Sequence, residues 1–212
     1  MIFIQKKETE NLKEINNEMK EYYSKCDVNF NASYMAYDGK NEWVDPTTTK
    51  MVFDKILSCI EYSEDDSFID CGSGLGHVLY LASFHFKKVF GIEILEDIAI
   101  LSKKNLISLI GNEQFLKKIE LYIGNILEQP DSFFDKGNIF YVSSPFSEEK
   151  DFNFLIDNIY KSIKRRERNV CVVYYYPYFK KVLENYSDYF ELVTELSLIG
   201  DVVIYKHTSM LA

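Results

Sequence analysis

Residues 68 to 76 read Phe68-Ile69-Asp70-Cys71-Gly72-Ser73-Gly74-Leu75-Gly76: an apolar run that ends on a carboxylate, passes three alternating glycines and enters a helical pattern. Such a stretch reads as strand, tight turn and helix. Glycine suits the turn because the backbone there takes φ > 0 and because a ligand can approach without meeting a Cβ. The helix that follows points its unpaired N–H groups at that ligand. A dinucleotide fingerprint, G-x-G-x-x-G, has its third glycine five residues after the first. Here Gly76 comes four after Gly72, and Asp70 stands two before it. A carboxylate in that place repels a pyrophosphate and holds an ammonium.

A second carboxylate sits at a comparable point. Glu93 ends the apolar run Val89-Phe90-Gly91-Ile92, 23 residues beyond Asp70. In open α/β sheets ligands lie beyond the carboxyl ends of the strands, and an acid about 20 residues past the glycine turn accepts ribose hydroxyls. Two further strand ends carry polar and aromatic groups: Ser143-Ser144-Pro145-Phe146 and Tyr174-Tyr175-Tyr176-Pro177. Side chains alternate along a strand, so Tyr174 and Tyr176 share one face and Tyr175 takes the other, and at least one phenol is expected at the site.

The elements that position these groups follow from periodicity. Residues 8 to 25 carry Leu12, Ile15, Met19 and Tyr22 at helical spacing, and residues 26 to 44 form an aromatic-rich segment with Phe30, Tyr34, Met35, Tyr37 and Trp43. Residues 1–44 are thus expected as a cover or lid, with 45–212 as the main domain. Asp45-Pro46 supplies an N-cap and first-turn proline for a helix that buries Val52, Phe53, Ile56, Leu57 and Ile60. Strands are expected at 67–70, 89–93, 119–123, 138–143 and 170–175, with helices at about 75–86, 96–110, 152–163 and 178–186. This βαβα alternation predicts a mostly parallel sheet with helices on both faces. Phe190–Leu198 and Val202–Lys206 then flank Ile199-Gly200-Asp201 with no helix between them, an antiparallel hairpin. The expected architecture is a three-layer α/β/α sandwich whose seven-stranded sheet ends in that hairpin.

The pattern Asp70 to Gly76, with Glu93, the fourth-strand motif and the closing hairpin, resembles the class I S-adenosylmethionine-dependent methyltransferases, over residues 45 to 206. The Asp45-Pro46-Thr47 turn and Gly91-Ile92-Glu93 are also similar to the non-SET histone lysine methyltransferases. The resemblance implies S-adenosylmethionine as cofactor, contacted by Thr47, Thr48, Asp70, Gly72, Ser73, Gly74, Gly76, Glu93 and Ser143. It implies Asn125 at the adenine amino group, with Ile94 and Ile126 as walls for the ring. It also places Ser143, Ser144, Pro145, Phe146 and Tyr175 at the methyl acceptor. Amino methyltransferases carry [DNS]-P-P-[YF] at the fourth strand, and Ser144 replaces its first proline. A sulfonium is already electrophilic, so transfer by in-line displacement needs alignment and exclusion of water more than a strong base.

Composition bounds what remains. The chain has 212 residues, 47% apolar, with 16 Tyr and 16 Phe, which suits one globular domain. Its net charge of -9 argues against a surface that grips duplex nucleic acid, so a protein side chain or small metabolite is the expected acceptor. Cys26, Cys59, Cys71 and Cys171 lack metal spacing, and His77, His85 and His207 are scattered, so neither zinc nor a disulfide framework is expected. Met1-Ile2-Phe3-Ile4 is too short for a signal segment and no run suits a spanning helix, so a cytoplasmic protein without membrane partners is the expectation. A non-catalytic cofactor-binding or protein-interaction module of the same fold, an RNA or DNA methyltransferase and a nicotinamide-dependent oxidoreductase stay open as alternatives.

Overall fold

The computed structural model describes residues 50–143, 145–197 and 200–209. The expected cover of residues 1–44, the Asp45-Pro46 cap, Thr47, Thr48 and Ser144 lie outside the described residues. In chain order the elements are α1 (Lys50–Leu57), β1 (Ser67–Cys71), α2 (His77–Ala82), β2 (Lys88–Glu93), α3 (Glu96–Ile110), α4 (Asn112–Lys118) and β3 (Ile119–Ile123). A 3-10 turn at Ile126–Glu128 leads to α5 (Asp131–Phe134), β4 (Ile139–Ser143), α6 (Glu149–Arg165), β5 (Val170–Tyr175), α7 (Lys181–Glu184), β6 (Glu191–Ser197) and β7 (Asp201–His207).

The seven strands form one sheet in the order β3-β2-β1-β4-β5-β7-β6. β1 to β5 are parallel, whereas β7 runs antiparallel between β5 and β6. β1, β4 and β5 are buried on both faces, and their alternate residues feed two cores. Ile69, Cys71, Phe140, Val142, Val172 and Tyr174 pack with Phe152, Leu155, Ile156 and Ile159 of α6. Phe68, Tyr141, Val173 and Tyr175 pack with Val52, Phe53 and Ile56 of α1, Leu79 of α2 and Leu106 of α3. Three layers result, as expected.

Three differences have physical causes. The helix expected at 96–110 is found as α3, but Gly111 (φ 81) closes it and opens a further helix, α4, before β3. The helix expected at 178–186 is reduced to α7 inside a run of turns. The short α5 and the 3-10 turn lack enough residues for periodicity to reveal them. β1 is joined to β2 on one side and β4 on the other, so the strand order reverses between β1 and β4, the crevice where open α/β sheets bind ligands.

Candidate functional site

β1 delivers Asp70 and Cys71 to that crevice. Gly72, Gly74 and Gly76 all take positive φ, at 94°, 49° and 87°, so the spacing read from the sequence is a backbone requirement. The turn is tied to the next strand: Gly72 N and Ser73 N both donate to Ile92 O, at 3.1 and 2.9 Å. Gly74 N donates to Glu93 Oε2 at 2.9 Å, and Leu95 N donates to Oε1 at 3.0 Å. Glu93 therefore braces the turn as well as facing the crevice, and one bond per oxygen leaves acceptor capacity on each.

Asp70 is 2% exposed. Burial, and then the charge of Glu93, raise its carboxyl well above the ordinary range. Burial and Asp70 likewise push up the Cys71 thiol. Among the described residues no Lys, Arg or His pairs with either carboxylate. Two acids buried beside one another without a cation make a site complementary to a positively charged ligand. Two hydroxyls support this: Ser73 Oγ in the turn and Ser143 Oγ at the end of β4 are buried without a hydrogen-bond partner.

The β4 loop closes over the turn. A Cβ on Gly72 would lie 2.9 Å from Pro145 Cβ, so Pro145 stands against the glycine turn, and Ser143 ends β4, the strand paired with β1. Phe146 is half-buried and leans on Phe152, centroids 6.4 Å apart. Tyr175 does not reach the crevice: it is 1% exposed in the core beneath Tyr176, ring centroids 4.4 Å apart. Tyr176, which follows the strand, is half-buried against Gly200 and lies in the left-handed region at φ 51°.

The ring walls also change. Ile94 is exposed (58%) as expected, but Ile126 is buried in the core and Ile123, beside Glu93 in the sheet register, is the exposed one (51%). Asn125 spends its Oδ1 as a cap on Leu127 N at 3.0 Å, and its Nδ2 donates to Glu128 Oε1 at 3.4 Å. His77, unassigned by sequence reading, opens α2 directly after Gly76, and burial lowers its imidazole to about 4, so it is neutral at physiological pH. Its position next to the last glycine was the available clue. No group of three or more His, Cys, Asp or Glu suited to a metal occurs among the described residues, and no described helix is long and apolar enough to cross a membrane.

The chain matches the family model of histone methylation protein DOT1 over residues 32–134, just under half its length. No curated protein matches it. Solved structures that resemble it include a precorrin-6y C5,15-methyltransferase from Geobacter metallireducens, at 15% identity and TM-score 0.56, covering 79% of this chain and 93% of that one. An rRNA methylase from Streptococcus thermophilus aligns at 12% identity and TM-score 0.55, over 76% and 97%. An RNA methyltransferase from Salinibacter ruber, solved with S-adenosyl-L-homocysteine, aligns at 20% identity and TM-score 0.50, over 77% and 93%. At these identities the likeness is one of fold.

Proposed function

From a chain with the class I S-adenosylmethionine-dependent methyltransferase fold, we propose an enzyme that binds S-adenosylmethionine at the glycine turn and methylates an amine-bearing side chain of a protein. The observation that carries the cofactor is the buried pair Asp70 and Glu93, with which no Lys, Arg or His pairs among the described residues. Asp70 would hold the ammonium of the methionine moiety, and Glu93 would accept the ribose hydroxyls with the lone pairs its brace leaves over. Ile94 and Ile123 offer exposed apolar walls to the adenine. Bound cofactor would supply a methyl group already activated by its sulfonium.

The chain's own share is to align and to dry the site. Ser143, whose hydroxyl has no hydrogen-bond partner, would hold the acceptor amine. Pro145 narrows the crevice against Gly72. The match to a histone-methylation family and the net charge of -9 support a basic polypeptide acceptor over nucleic acid.

Calorimetry with S-adenosylmethionine and with NAD tests the cofactor, and labelled methyl donor supplied with protein, RNA, DNA and metabolite fractions tests the acceptor. Binding of NAD alone would replace the reading with that of an oxidoreductase. Label confined to RNA or DNA would keep the enzyme and remove the protein acceptor.

A further inference from the structure

Beyond β4, the same edge of the sheet opens into a second cleft of ≈ 280 Å³, lined by Tyr176, Pro177, Tyr178, Glu195, Ser197 and Asp201. It is built by the loop after β5 and the mouth of the β6–β7 hairpin. Asp201 O accepts from Tyr176 N at 2.9 Å, and a Cβ on Gly200 would lie 2.7 Å from the Tyr176 ring, so the hairpin holds that ring in place. Tyr178 is 72% exposed. Asp201 Oδ1 accepts from Ser197 Oγ at 2.8 Å, and Lys180 is paired with Glu195 at 3.2 Å. Two carboxylates against one ammonium leave the cleft negative, and its walls are aromatic. That combination favours a guanidinium or ammonium, held by charge and by the faces of the rings.

Position makes the cleft more than a generic cation pocket. Ser143 lies beside Tyr175 in the register, and Tyr175 lies beside Val202. The cleft is thus about two strand spacings, or about 10 Å, from the end of β4, the reach of roughly three extended residues. We infer that it is a specificity subsite for a basic residue, Arg or Lys, roughly three positions along the polypeptide from the acceptor side chain; this rests on the protein-acceptor reading above.

The test uses the full chain with S-adenosylhomocysteine and two fluorescein-labelled Gly/Ala nonapeptides with a central lysine, one with arginine three residues away and one with glutamate there. Anisotropy should show the arginine peptide binding at least tenfold more tightly, roughly the worth of one charge-assisted contact. Asp201→Asn with Glu195→Gln should abolish that preference while S-adenosylmethionine affinity by calorimetry is unchanged. Should the double variant melt early, the exposed Tyr178→Ala should still reduce the preference severalfold. Equal affinity of the two peptides, or displacement of the arginine peptide by a single-stranded RNA oligonucleotide at equal concentration, would overturn the subsite. Failure of S-adenosylmethionine to bind while the arginine preference persists would instead strike the cofactor reading and leave the subsite standing.

Discussion

At the scale of one residue, the role proposed for Asp70 sets ligand binding against stability. An acid whose carboxyl is raised in the folded state binds more protons folded than unfolded, so its contribution to stability is lost as pH rises from the ordinary carboxylate range through the raised value. Asp70→Asn should therefore stabilise the ligand-free chain at neutral pH by about 0.5–2 kcal/mol, read from its melting temperature, and flatten that loss. The same variant should weaken S-adenosylmethionine by about 1.5–3 kcal/mol, since a cationic partner needs the ionised carboxylate. For the wild type, affinity should rise with pH through the raised Asp70 range. A variant that melts lower yet binds as tightly would show Asp70 to be structural. Gly76→Ala should act on the fold instead: its Cβ would fall on Ser102 Oγ and press on Leu106 at a residue with φ 87°. A cost of about 2–4 kcal/mol is expected in denaturant unfolding. Asp70, the glycines and Glu93 were legible in the sequence because strand, turn and acid follow one another locally. Ile123 was not, because whether the last residue of a strand faces the crevice or the core depends on the register with its neighbours.

Arg168 shows how the elements are joined. Its Nε donates to Gly137 O at 2.8 Å, Nη1 to Arg166 O at 2.9 Å and to Ser162 O at 3.3 Å, and Nη2 to Phe134 O at 2.9 Å and to Ser162 Oγ at 2.8 Å. One guanidinium thus ties the carboxyl ends of α5 and α6 to the approach of β4. Burial lowers it to about 10, so it remains a cation at neutral pH, where helix carbonyl ends favour it. A lysine offers three donors from one point and cannot reach carbonyls arranged around a planar fork. Arg168→Lys should cost about 2–4 kcal/mol of stability in a urea titration, with S-adenosylmethionine binding kept in the folded fraction. Arg168 is the buried member of the basic run Lys161, Lys164, Arg165, Arg166 and Arg168. Nothing in the run marks Arg168 apart from Arg165 and Arg166, because the distinction arises from three segments that meet only in the fold. The strands, by contrast, were legible to within a residue or so, since their apolar or alternating runs end wherever a turn residue appears.

At the scale of the whole molecule the two proposed ligands meet different electrostatics. S-adenosylmethionine is to be held by the buried carboxylates Asp70 and Glu93, which salt screens little, whereas a basic polypeptide approaches through solvent toward a chain of net charge -9. The Debye length is about 10 Å at 0.1 M salt, comparable to the distance between the two clefts, so added salt uncouples the distant charges first. Raising KCl from about 25 to about 250 mM should then lower kcat/KM for a basic protein acceptor severalfold, mostly through encounter. kcat at saturating acceptor, and the affinity for S-adenosylmethionine, should change little. For a nucleic-acid acceptor repelled by the same field the sign reverses: salt would relieve repulsion and raise kcat/KM. Steady-state methylation at the two ionic strengths therefore separates the acceptor classes without knowledge of the modified position. A rate that rises with salt, or that is indifferent to it, would remove the basic polypeptide from the account while leaving the cofactor site as described.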